Sequence, residues 1–138
     1  MTLDNNRVRE LLVKMTHHRQ TCLPLVNPQS HMTLARAAYR FVKIEKVMIK
    51  KMAKLFFDQD GEQFIAENAT EYGVAELGNY KEMHFMNKLL LDDLKALLRA
   101  IDDTNLTALV SYWLAALQVE NDEIEKHLPD LAFLSTVG

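Results

Sequence analysis

Cysteine, proline and glycine are all scarce in this chain, and each shortage removes a class of protein. A single cysteine, Cys22, allows no internal disulfide, so the sequence carries no oxidative framework and suits a reducing cytoplasm. Three prolines, at 24, 28 and 129, and four glycines leave little material for β-hairpin turns. No two glycines lie closer than five residues apart, which excludes a glycine-rich phosphate loop. No run of about 18 apolar residues occurs, so no transmembrane segment is expected, and the polar start of the chain is unlike a secretory leader.

What remains is helix-forming material. Of 138 residues, 49% are hydrophobic, enough for one domain around one core, and Leu, Ala, Met, Lys and Glu dominate. The clearest pattern is Tyr80, Met83, Asn87, Leu90, Leu94, Leu97 and Ile101, which alternate spacings of three and four and so form one seam on one helix. Leu34, Ala38, Phe41, Glu45, Met48, Met52 and Leu55 make a second seam, with Ser30 as the expected cap. Leu106, Val110, Trp113, Leu117, Glu120, Ile124 and His127 make a third, which Pro129 is expected to end. Val8, Leu11, Leu12 and Met15 mark a first helix fading near Arg19, followed by an extended connection through Pro24 and Pro28. Asp60 with Gln63 fits a capping box for the helix that leads into the 80–101 seam. The expected fold is therefore all-α, an antiparallel four-helix bundle, with five helices if Gly73 or Gly78 breaks the third.

Charge is divided unevenly. Between residues 33 and 57 stand Arg36, Arg40, Lys43, Lys46, Lys50, Lys51 and Lys54 against Glu45 alone, a local balance of +6 in a chain whose formal total is −3. Arg36, Arg40, Lys43, Lys50 and Lys54 fall on one stripe away from the seam. Such a stripe is either neutralised by acidic neighbours within the bundle or steers a partner with an acidic face. Nucleic acid or an anionic surface is the third candidate partner of this helix, with nucleic acid disfavoured because the chain is net acidic and carries no helix-turn-helix signature.

Polar residues counted inward offer the chemical alternative. Glu45, Glu76, Glu120, Glu123 and His127 are candidate ligands for iron, manganese or zinc, because carboxylates from separate helices build metal centres in bundles. The Glu-x-x-His pair of di-iron bundles is absent; Glu123 and His127 are four apart, a spacing that can chelate across one turn. His18 and Asn87 are further inward candidates, and His84 lies on the flank of the central seam. Cys22 lacks the neighbours that activate a thiol, and no catalytic triad is assembled. The tail Leu131, Phe133 and Leu134 is too apolar to stand in water and is expected to anchor on the bundle or on another subunit. The leading expectation is a cytoplasmic, non-enzymatic protein acting through protein-protein contact, as a homodimer and without a cofactor; a metal-binding bundle of oxidase or storage type stands second.

Overall fold

The computed structural model describes residues 5–26, 31–69 and 79–137, with side chains through Leu128. The described residues form five α-helices and one 3-10 turn: α1 (Asn5–Cys22), the turn Leu23–Val26, α2 (Met32–Phe57), α3 (Gly61–Asn68), α4 (Tyr80–Arg99) and α5 (Thr104–Val137). The five-helix alternative is the one adopted. α3 stops at Asn68 with an extended Ala69, and α4 begins afresh under an Asn79 cap whose side chain accepts from the Glu82 N–H at 2.9 Å. Gly73 and Gly78, the expected breakers, lie outside the described residues.

The four long helices pair antiparallel around one core. Asn5 bonds to the Phe56 carbonyl while His18 meets Glu45, so α1 and α2 run in opposite directions. Tyr80 donates to the Leu25 carbonyl at 2.7 Å while Lys14 pairs with Asp93, which opposes α4 to α1. Arg40 to Glu120 and His31 beside His127 oppose α5 to α2, and Asn87 to Asn121 with His84 near Glu125 oppose α5 to α4. Consequently α2 and α4 are parallel and diagonal. Phe57 and Tyr80 then lie at opposite ends of the bundle, and α3 carries part of the return.

That return depends on a glycine. A Cβ at Gly61 would lie 2.5 Å from the Lys50 Cα, closer than real Cβ contacts come, so only glycine lets the start of α3 rest on the α2 backbone. Asp60 caps α3 by accepting from the Glu62 and Gln63 N–H groups at 2.9 and 3.1 Å. The expected capping box is half formed, because the Gln63 amide turns forward to Glu67 at 2.9 Å. Phe64 stacks on Phe57, and His17 reaches the Asn68 carbonyl at 3.0 Å, fastening the far end of α3 to α1.

The apolar seams are buried largely as their spacing requires. Every member of the 80–101 seam is inside, as are Leu34, Ala38, Phe41, Met48 and Met52 of α2 and Val110, Trp113, Leu117 and Ile124 of α5. Leu55 is not; it is 55% exposed, because a helix at 3.6 residues per turn drifts from a seven-residue repeat and turns Ile49 and Ala53 inward instead.

Three boundaries differ from expectation. α1 continues past Arg19 to Cys22, and the proline segment tightens into a 3-10 turn whose Leu23, Leu25 and Val26 pack on the core. α2 is capped by His31, whose Nδ1 accepts from the Leu34 N–H at 3.3 Å; Ser30 lies outside the described residues. Finally, α5 does not end at Pro129 but stays helical to Val137. Proline's fixed φ is itself helical, so a proline removes one backbone bond and strains the preceding turn without compelling a stop.

Candidate functional site

Half-way along the bundle each of the four long helices contributes one buried polar side chain to a single layer. α1 supplies His18, α2 Glu45, α4 Asn87 and α5 Asn121. Their helical registers bring them level: each occupies a seam position that an apolar residue fills one turn above and below, such as Met83 and Leu90 around Asn87.

The contacts form a chain. His18 Nδ1 donates to Glu45 Oε1 at 3.0 Å, and its Nε2 lies 2.8 Å from Asn87 Oδ1. Asn87 Nδ2 donates to Asn121 Oδ1 at 3.0 Å. The second carboxylate oxygen of Glu45 is 2.9 Å from His18 Nδ1 but out of line with its N–H, so it gains charge attraction without a hydrogen bond. Cys22, one turn along α1, places its sulfur 3.9 Å from Nδ1 and 3.8 Å from Nε2, and Phe41 tilts against the ring at 5.6 Å.

With acceptors at both nitrogens, His18 is an imidazolium. Burial alone would drive its pKa down, but the Glu45 charge and the hydrogen bonds that His18 makes with Cys22 and Glu45 outweigh it and hold the value well above the ordinary one. For Glu45, burial raises the pKa and the facing His18 and Arg19 charges pull it back without cancelling the rise. His18 is 5% exposed and Glu45 fully covered, so neither reaches a solute from solvent. The layer is an internal network closed off from solvent, with Glu45 Oε2 held by charge alone.

The sequence-derived candidates are dispersed. Glu45 belongs to this layer. Glu120 turns outward from it and takes the Arg40 guanidinium Nε at 2.7 and 3.0 Å. Glu123 and His127 do meet, at 3.2 Å across one turn of α5, with the His31 ring 5.9 Å from that of His127. His31 cannot join them as a metal ligand while its Nδ1 lone pair caps α2, since its Nε2 then carries the proton. Glu76 lies outside the described residues. Among the described residues no three His, Cys, Asp or Glu side chains converge as a metal-holding group. Because α5 continues to Val137, the acidic run Glu120, Asp122, Glu123 and Glu125 sits within the helix and not against the negative end of its dipole.

No protein-family model, no curated protein and no solved structure matches this chain.

The basic stripe is partly neutralised at home. Arg40 pairs with Glu120, Lys46 and Lys50 share Glu62 at 3.2 and 3.4 Å, and Lys54 meets Asp58 at 2.7 Å. Arg36 and Lys43 project from the open part of the stripe, with Lys43 over the Tyr39 ring. His84, on the flank as expected, is mostly covered and lies 3.5 Å from Glu125. Leu131, Phe133 and Leu134 are carried on the helical end of α5, beyond the residues whose side chains are described. Asn121 is the member of the layer that sequence reading passed over in favour of its neighbour Glu120. The alternative spacing Leu117, Asn121, Ile124, four then three, was the signal for it.

Proposed function

We propose that this protein is a non-enzymatic helical bundle that acts by protein-protein contact, in the first instance with a second copy of itself. The observation that carries this reading is the contrast between its interior and its surface. Among the described residues, buried His18 and Glu45 are spent on one another in the central layer and buried Glu120 on Arg40, whereas large apolar side chains stand outside: Phe85 and Leu89 on α4, Tyr112 and Val119 on α5. An interaction protein needs such surface and an enzyme does not.

The end of α5 supports the same reading. His31, at the start of α2, lies beside His127, so residues 129–137 carry α5 roughly 13 Å past that level at the usual helical rise. Leu131, Phe133 and Leu134 on this extension are the proposed anchors, with Arg36 and Lys43 as steering charges. The metal-binding alternative has less behind it, since Glu45 and Glu120 are committed to His18 and Arg40. Light scattering on the full chain and on a chain ending at Leu128 tests the anchor. A dimer lost on truncation, with helix content otherwise retained, is the expected result; a dimer of unchanged affinity removes these residues from the interface.

A further inference from the structure

The outer face of α5 has the composition of an interface. From Thr104 to Val119 the helix carries no charged residue for sixteen positions, in a chain that is 25% charged. On the inner side that is ordinary core. On the outer side, Ala108, Tyr112, Ala115 and Val119 are all exposed, Tyr112 by 69% and Val119 by 63%. Their spacings of four, three and four set them in one seam about three turns long. Small and large residues alternate along it.

We infer that this seam packs against the same seam of a second copy, with the two α5 helices antiparallel across a two-fold axis near residues 113 and 114. In that register Tyr112 lies over Ala115 of the second copy, and Val119 over Ala108, so each large side chain meets a small one and each contact occurs twice. The charges at the ends agree with this direction. Asp122, exposed on the same stripe, comes level with the neutral Asn105 of the second copy, and Lys126 comes level with Ile101, one residue from Asp102, while Glu125 beside it faces His84 of its own α4. A parallel arrangement would instead set Tyr112 on Tyr112, Asp122 on Asp122 and Lys126 on Lys126. The large-to-small fit, the relief of Asp122 from its own copy and the approach of Lys126 to Asp102 select the antiparallel pair.

This inference rests on the proposed self-association and extends its interface from the α5 tail to the seam between Ala108 and Val119. A seam of a few turns lies at the small end of specific interfaces, so the dimer dissociates on dilution. Sedimentation velocity of the untagged full chain, from low micromolar to near-millimolar, gives the dissociation constant. Tyr112→Glu, at an exposed position that leaves the fold intact by circular dichroism, weakens the dimer by at least about tenfold. Lys126→Glu weakens it too, and adding Asp102→Lys to Lys126→Glu restores it, a rescue that only the antiparallel register provides. A wild-type chain monomeric at every concentration overturns the self-association itself. A wild-type dimer indifferent to Tyr112→Glu, or one lost only on truncation after Leu128, leaves self-association standing and overturns this interface. A dimer weakened by Tyr112→Glu without the charge-swap rescue overturns the antiparallel register.

Discussion

His18 on α1 and Glu45 on α2 meet inside the bundle as a histidine-carboxylate ion pair, Nδ1 to Oε1 at 3.0 Å, with the other imidazole nitrogen held by Asn87. Taking two charges out of water is costly, and their attraction returns that cost only when the remaining lone pairs and protons are satisfied. Here the layer supplies those partners except at Glu45 Oε2, which is held by the His18 charge alone. What it secures is register: sliding any one helix by a turn would set His18 or Glu45 against Met83, Leu90 or Met48.

Removing one partner should therefore be expensive. Glu45→Leu leaves His18 buried without its counter-charge and lowers unfolding free energy by about 3 kcal/mol or more, read from urea denaturation. The double variant His18→Met with Glu45→Leu recovers most of that loss. Recovery would fail if the layer's value lay in its hydrogen bonds rather than in charge balance.

The pH dependence has a definite sign. Both groups bind their proton more tightly folded than unfolded. A raised folded pKa contributes stability that is whole below the unfolded value and is lost as pH rises through the folded value. For Glu45 the loss begins above about 4.5, and for His18 above about 6.5 and through its raised value. Thermal melts should thus show the wild type losing stability from neutral to alkaline pH, and Glu45→Gln should abolish that slope. An unchanged slope in Glu45→Gln would assign the titration elsewhere.

Gly61→Ala should destabilise the fold although alanine is the better helix former. The added Cβ meets the Lys50 backbone, which cannot move aside as a side-chain tip could. An overpacking cost of about 1–3 kcal/mol outweighs the gain of about 1 kcal/mol in helix propensity. A higher melting temperature for Gly61→Ala would show that α3 is free to lift from α2.

The Arg40 and Glu120 side chains bridge α2 and α5 at the edge of the core, Arg40 about half exposed and Glu120 nearly covered. Arg40→Ala should cost about 1 kcal/mol, the upper end for a partly exposed pair, and the loss should shrink in high salt. Exchanging the two residues recovers less than half, because a guanidinium at the more enclosed position 120 loses solvation.

Much of this was legible from spacing alone. The 80–101 seam appears in the sequence as a three-four repeat of apolar residues and in the fold as a fully buried stripe, since periodicity reports burial directly. Glu45 and Asn87 were legible as inward polar residues by the same count. What they touch was not, because partnership depends on the relative heights of separate helices, which no local pattern encodes. Glu120 and Asn121 show the limit well: adjacent positions straddle the seam, and the turn of one residue decides which joins the layer and which pairs with Arg40. Pro129 misled for a different reason. Proline lacks a donor but not helical geometry, and α5 runs through it. The Gly61 contact was invisible in sequence, where a glycine after Asp60 reads as an ordinary turn.

The most direct test of the account is the solution mass of the untagged full chain, measured by light scattering across a concentration series. A mass that rises from 15.9 kDa towards twice that value with concentration is the predicted result. A mass fixed at 15.9 kDa up to near-millimolar protein would contradict a function built on self-association.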